Sequence, residues 1–198
     1  MTNPARLLSV NVAVPASFHV RGRHVRTGIF KEPVSGRVAL TRLTLAGDIQ
    51  ADKRYHGGPD QAVYVFPSEH YAHFRRALGR PDLSFGFFGE NFTTEGLYEE
   101  AVRVGEVYRV GSAVVQVTKP RSPCFKMGLK AGSQAFVGAL LESRRLGFYL
   151  RVLEEGDVGA GDAIVRISTS TDAGAPTIAE DIERRYFGRT SATAGSGS

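Results

Sequence analysis

Residues 102–126 read VRVGEVYRVGSAVVQVTKPRSPCFK, and this stretch indicates the fold class of the chain. Apolar and polar residues alternate on both sides of Gly111-Ser112, which predicts two paired β-strands joined by a two-residue hairpin turn. The second strand pattern ends at Thr118, and the residues after it include Cys124, the only cysteine in the chain. The stretch therefore predicts a β-hairpin that leads into a candidate reactive site.

Short alternating patterns recur along most of the chain. In residues 8–14 the even-numbered positions are apolar, so we expect a strand that buries that face. Further strands are predicted over residues 62–66, 148–152 and 163–167, with few helical patterns and no regular alternation of strand and helix. This organisation predicts a mainly β protein, a closed or nearly closed β-barrel with short peripheral helices.

The domain organisation follows from where these patterns stop. We expect one β-barrel domain over residues 1–170 and a short C-terminal helical segment over residues 171–187. Thr177 and Glu180 have the spacing of a capping box, which predicts a helix start inside that segment. Residues 188–198 are rich in Gly, Ser, Thr and Ala and are predicted to be a flexible tail or a cloning remnant.

Composition narrows the function classes. A single cysteine excludes an internal disulfide, and no stretch approaches the roughly 20 apolar residues of a membrane span, so we expect a cytoplasmic protein without a membrane partner. The net charge is +5, but the basic residues are scattered and lack interleaved aromatic residues. We therefore expect no nucleic-acid partner.

Cys124 is the first candidate functional residue. Lys119, Arg121 and Lys126 flank it, and nearby cations favour the thiolate, which is both a nucleophile and a ligand for soft metals. Ser122 is predicted to cap the following helix, with a proline in the first turn. The alternative is a buried, inert cysteine.

Positive charge near this cysteine suggests a phosphate site. Lys31, Lys119 and Arg121 are the candidate phosphate ligands, and the planar fork of Arg121 suits a phosphate best. The alternative for Lys31 is an ordinary surface lysine.

His56 and Asn91 are two further candidate catalytic residues. His56 precedes Gly57-Gly58 in a long polar loop, where the backbone can approach a ligand closely. Asn91 can donate and accept hydrogen bonds. A metal-free hydrolase with Cys124 as nucleophile, His56 as base and Asn91 as orienting residue therefore remains an alternative, although no cysteine-protease signature is present.

Several motifs together resemble those of the MOSC domain family, the domain found at the C-termini of molybdenum cofactor sulfurases. Their order and spacing are most similar to the YiiM-like branch. The motifs are GDIQAD (47–52), HGGPDQAVY (56–64), FGENFTTEGL (88–97), TKPRSPC (118–124) and RRLGFYLRV (144–152), with TGIFK (27–31) near the N-terminus.

The resemblance implies a β-barrel that binds molybdenum cofactor, a pterin dithiolene with a phosphate; pyridoxal phosphate is not expected. It implies that Cys124 is the molybdenum ligand and that the catalytic residues are Cys124, His56 and Asn91. Residues expected to bind the cofactor are Lys31, Arg54, His56, Gly57, Gly58, Glu90, Asn91, Lys119 and Arg121.

The same resemblance implies an oxidoreductase that reduces N-hydroxylated bases or related N-oxygenated compounds and so detoxifies them. A separate electron-donor protein and a monomeric or homodimeric state are expected. The alternative is a non-catalytic carrier of molybdenum cofactor or sulfur with a persulfide on Cys124. YiiM-like chains usually continue into a C-terminal helical bundle, of which this sequence has only residues 177–186 before its low-complexity tail.

Overall fold

The computed structural model describes residues 5–13, 16–20, 23–49 and 57–188 of the 198-residue chain. Within these ranges no helix is long and apolar enough to cross a bilayer. The α-helices in the described part are α1 (Tyr71–Leu78), α2 (Phe125–Ala131), α3 (Ala135–Glu142) and α4 (Ile178–Ile182). The strands are β1 (Ala5–Ala13), β2 (Ala16–Val20), β3 (Arg23–Thr27), β4 (Lys31–Pro33), β5 (Arg37–Leu40), β6 (Val63–Pro67), β7 (Phe92–Glu95), β8 (Val107–Val110), β9 (Ala113–Pro120), β10 (Phe148–Glu154), β11 (Gly156–Gly159) and β12 (Ala163–Ser168).

Seven of these strands close into a barrel in the order β12, β8, β9, β10, β6, β7, β1. The ring closes because β1 pairs with β12, where Ala5 lies opposite Ile164. Neighbours in the ring are antiparallel except for β6 and β7, which are parallel. β4 pairs with the end of β1, while β5 pairs with β11 and β2 with β3. The prediction of a mainly β, closed barrel with short peripheral helices is confirmed.

β8 and β9 form the hairpin that the sequence predicts, with Gly111 and Ser112 between them. Gly111 has a φ of 57°, a left-handed conformation that glycine adopts with little strain. Along β9, Ala113, Val115 and Val117 face the core and are at most 1% exposed. β9 then carries the chain directly to the cysteine segment.

The N-terminal strand differs from its predicted pattern. Val10 is buried as expected, but Leu7 is buried with it and Val12 is only half-buried. The predicted phase is wrong at Leu7 because a β-bulge shifts the register between Leu7 and Ser9, which moves alternate side chains to the other face. Val14 lies outside the described residues.

An aromatic cluster packs α1 and α3 against one part of the barrel. Phe66 of β6 stacks on Phe88 with ring centroids 4.0 Å apart, and Tyr71 and Phe74 of α1 meet the same ring edge-on or tilted. Phe136 of α3 contacts Phe74 and Phe88. The cluster fixes the turn around Phe88, which leads directly into Asn91.

The C-terminal segment begins with the predicted capping box. Thr177 Oγ1 accepts a hydrogen bond from the Glu180 N–H at 3.1 Å, and the Glu180 carboxylate accepts one from the Thr177 N–H at 2.7 Å. α4 follows with Ile178 and Ile182 fully buried, and it continues into a π-helical turn, Glu183–Phe187. This segment therefore docks on the barrel.

Candidate functional site

An open pocket lies where β9 passes into α2. About 620 Å³ of empty space lies within it, including open solvent at its mouth. Of the predicted site residues, the lining includes Lys31, Asn91, Arg121 and Cys124. The other lining residues are Thr27, Gly28, Ile29, Asp48, Ile49, Gln61, Ala62, Tyr64, Gly89, Lys126 and Tyr149.

Cys124 lies half-buried in the pocket wall, at the N-cap position of α2. Its backbone is extended, with φ −133° and ψ 162°, and its carbonyl accepts a hydrogen bond from the Met127 N–H at 2.9 Å. The helix start therefore sets the position of the cysteine directly.

The predicted cap at Ser122 is wrong. The pairing of β9 with β10 persists beyond Pro120, because the Arg121 N–H donates to the Gly147 carbonyl at 3.1 Å. The chain is therefore still held against β10 at Arg121, and α2 begins only at Phe125.

Arg121 is a buried cation in the same wall and is 5% exposed. Its guanidinium carbon lies 4.7 Å from the centroid of the Tyr64 ring, within cation–π range. Burial alone would lower the pKa of Arg121, but the negative potentials of Tyr64, Tyr149 and Cys124 together raise it. Among the described residues, nothing accepts a hydrogen bond from its buried Nη1. Such a donor is costly unless an acceptor reaches it, so Arg121 favours an anionic ligand.

Lys31 and Asp48 form a buried ion pair. Lys31 Nζ lies 2.5 and 2.6 Å from the two carboxylate oxygens, and the side chains are 8% and 3% exposed. Burial lowers the pKa of Lys31, and the attraction of Asp48 opposes that effect. Lys31 is thus no surface lysine, and Asp48 neutralises the charge that the sequence assigns to a phosphate. The phosphate-binding role predicted for Lys31 stays a prediction.

Asn91 is held by the protein through both ends of its amide. Oδ1 accepts a hydrogen bond from the Tyr64 N–H at 3.1 Å. Nδ2 donates to Asp48 Oδ2 at 2.7 Å and to the Asn11 carbonyl at 3.3 Å. Both amide protons are therefore committed within the wall. This geometry suits positioning, and the catalytic role expected for Asn91 stays a prediction.

Glu90 lies behind the pocket lining and is fully buried. Its Oε1 accepts hydrogen bonds from the Tyr71 hydroxyl, from the Gly86 N–H at 2.8 Å and from Thr93 Oγ1 at 2.9 Å. Burial raises the pKa of Glu90, against these hydrogen bonds, which lower it. Glu90 does not line the pocket, and the cofactor-binding role expected for it stays a prediction.

The other predicted site residues lie away from the lining or outside the described residues. Lys119 lies on β9 opposite Tyr149 and does not line the pocket. Gly57 and Gly58 lead into the short 3-10 turn Pro59–Gln61. Gly58, at the N-cap position of that turn, has a φ of 95°. Arg54 and His56 fall outside the described residues, so their convergence on Cys124 stays a prediction.

The lining holds four ionisable residues that were not among the predicted site residues, namely Asp48, Tyr64, Lys126 and Tyr149. Asp48 is inside the motif GDIQAD, but its role depends on tertiary contacts. Tyr64 and Tyr149 lie opposite each other on β6 and β10, with ring centroids 5.5 Å apart. Tyr64 belongs to the motif HGGPDQAVY and Tyr149 to RRLGFYLRV, so the motif matches could have identified both residues. Lys126 follows Cys124 by two residues and is 9% exposed.

Comparisons with known proteins agree with this fold. The profile described as the MOSC domain matches residues 52–165. The uncharacterized protein YflK of Bacillus subtilis is 46% identical over 155 residues, 78% of this chain and 70% of that protein. A Gibberella moniliformis protein named Reductase is 32% identical over 146 residues, which are 72% of this chain and only 26% of its own length. The crystal structure of YiiM from Geobacillus stearothermophilus superposes with a TM-score of 0.77 and 34% identity, covering 94% of this chain and 86% of that one.

Proposed function

Since the chain belongs to the MOSC domain family, we propose that its pocket binds molybdenum cofactor and that Cys124 ligates the molybdenum. The protein would act as a reductase of N-hydroxylated bases or related N-oxygenated compounds. The named relative Reductase supports an oxidoreductase activity. The bound cofactor would supply the two-electron redox chemistry, while the chain supplies binding, orientation and charge.

The observation that carries this proposal is the shared wall of Cys124 and Arg121. A thiolate is a ligand that soft metals favour, and the buried Nη1 of Arg121 calls for an anionic acceptor. In the described part of the chain, no group of three or more His, Cys, Asp or Glu side chains could hold a metal ion alone. A metal at Cys124 would therefore take further ligands from its own cofactor, and a pterin dithiolene provides them.

Other lining residues fit the remaining parts of such a cofactor. Arg121 and Lys126 would balance the charge of its phosphate, because both lie buried beside Cys124 in the lining. Tyr64 and Tyr149 offer an aromatic wall of the kind that suits a planar ring system. The pair of Lys31 and Asp48 would keep its own part of the lining rigid.

Reduction of an N-hydroxyl group to an amine consumes two electrons and two protons and releases water. The electrons would come from a separate donor protein, and the substrate would be a small N-hydroxylated molecule.

The activity can be tested on protein produced in a host that makes molybdenum cofactor. A reduced viologen dye would serve as electron donor and hydroxylaminopurine as substrate, with the amine product followed by mass spectrometry. We expect turnover by the wild type and a loss of more than about 100-fold in Cys124→Ser, since weaker perturbations of metal sites already cost 10–100-fold. Arg109→Gln, an exposed change on β8, is the matched control and should retain activity.

Two results would contradict the proposal. Molybdenum-loaded wild type without turnover of hydroxylamines would overturn the reductase activity. Equal turnover by the wild type and Cys124→Ser would overturn the ligand role of the thiol.

A further inference from the structure

The C-terminal segment contacts the cysteine segment. Ser122 Oγ lies 2.5 Å from the hydroxyl oxygen of Tyr186, which belongs to the π-helical turn Glu183–Phe187. Ser122 is exposed and stands two residues before Cys124, in the irregular stretch between β9 and α2. A residue near the C-terminus thus bonds to the stretch that presents the pocket thiol.

Tyr186 is presented by a well-fixed segment. Arg144 forms an ion pair with Glu183, and its guanidinium carbon lies 4.0 Å from the centroid of the Phe187 ring. Asp181 is 1% exposed and pairs with Arg185 at 2.8 Å. Contacts on both sides of Tyr186 therefore hold it in place. π-helical turns of this kind are rare and often lie at functional sites.

Tyr186 also lies within electrostatic reach of the pocket itself. Tyr149 lines the pocket, and burial is the main cause of its raised pKa. Arg121 opposes that rise, while Cys124 and Tyr186 both add to it. Tyr186 and Cys124 therefore both act on the same pocket tyrosine.

We propose that Tyr186 is a positioning residue that acts through Ser122 to hold Cys124 against the pocket wall. Residues 122 and 123 lie in neither a helix nor a strand, and Cys124 stands at the N-cap of α2, so a bond from another segment to Ser122 restricts the local opening of this stretch. The C-terminal segment thereby becomes part of the site and determines how the thiol is presented.

Alkylation of Cys124 by iodoacetamide at one fixed pH tests this inference, because Cys124 is the only thiol in the chain. The full-length protein without cofactor is used, and the adduct is followed by mass spectrometry. We expect Tyr186→Phe to raise the rate about 3- to 10-fold, the effect of losing one ordinary hydrogen bond on a local opening. Ser122→Ala should raise the rate equally, and the double variant should raise it no further.

Two controls separate positioning from a general loss of stability. Ser122→Thr keeps the hydroxyl and should restore the wild-type rate, whereas Tyr98→Phe removes a hydroxyl from a partly exposed tyrosine elsewhere and should leave the rate unchanged. In Tyr186→Phe the free energy of unfolding in urea should fall by no more than about 1.4 kcal/mol, the equivalent of a 10-fold change in rate.

An unchanged or lowered rate in Tyr186→Phe would overturn the inference, and so would multiplying effects in the double variant. The assay needs no bound cofactor, so its outcome is separate from that of the proposed function.

Discussion

At the scale of single residues, Asp48 organises the polar side of the pocket. Its carboxylate accepts hydrogen bonds from the Ala13 N–H, the Lys31 ammonium, the Thr44 hydroxyl and the Asn91 amide. A carboxylate has about four lone-pair positions, so these donors occupy it fully. Asp48 therefore joins several chain segments into one wall and is not available to a ligand.

Removing this carboxylate should be costly because it leaves a buried ammonium unpaired. We expect Asp48→Asn to lower the free energy of unfolding by about 3–5 kcal/mol, the usual cost of breaking a buried ion pair from one side. The double variant Lys31→Met/Asp48→Asn should recover a large part of that loss. Urea denaturation of the three proteins measures both effects.

Arg37 offers the matched control for this cycle, since it forms an ion pair with Asp162 while its side chain is 52% exposed. Arg37→Met should destabilise far less than Asp48→Asn. Equal losses of unfolding free energy in the two variants would show that the Lys31–Asp48 pair contributes no more to stability than an exposed pair.

At the scale of elements, α2 is held at both ends. Cys124 caps its start, and near its end Lys130 Nζ donates to the Gly86 carbonyl at 2.7 Å and the Ile29 carbonyl at 3.0 Å. Met127 in the middle of the helix is fully buried. The helix that presents the thiol is thereby bonded to Ile29 of the pocket lining and to the turn before Glu90.

The Lys130 contact predicts a pH dependence of stability. Burial lowers the pKa of Lys130 from 10.5 to about 8. Between these values the unfolded chain keeps a proton that the folded chain has released, so the free energy of unfolding rises with pH in this window. That contribution is lost as the pH falls through about 8.

Urea denaturation of the wild type and Lys130→Met between pH 7 and pH 10 checks this. The other ionisable groups are the same in both proteins. The unfolding free energy of the wild type minus that of Lys130→Met should therefore be flat below about pH 8 and should rise above it. A difference that falls or stays flat up to pH 10 would show that the ammonium is not destabilised by burial.

At the scale of the whole molecule, the barrel could be predicted because its signals are local. Alternating residues on each side of Gly111-Ser112 determine a hairpin, and the Thr177 capping box determines a helix start. The phase of β1 could not be predicted, since the bulge near Ser9 arises from pairing with β7. Closure of the ring by β1 and β12 likewise depends on residues far apart in sequence.

Part of the candidate site could also be predicted from local sequence signals. Motif matches placed Cys124, Arg121 and Asn91 among the expected site residues, and the structure brings them into one pocket lining. Sequence spacing could not show that Lys31 is neutralised by Asp48 or that Glu90 lies behind the lining, because both facts depend on tertiary packing.

Binding of molybdenum cofactor in this pocket through Cys124 is our central proposal. Its most direct test is the molybdenum and pterin content of purified protein from a host that makes the cofactor, measured by elemental and mass spectrometry. We predict molybdenum and pterin equimolar with the wild-type chain and with Arg109→Gln, and little molybdenum in Cys124→Ala. Correctly folded wild type without molybdenum or pterin, or a Cys124→Ala variant that carries as much molybdenum as the wild type, would contradict the account.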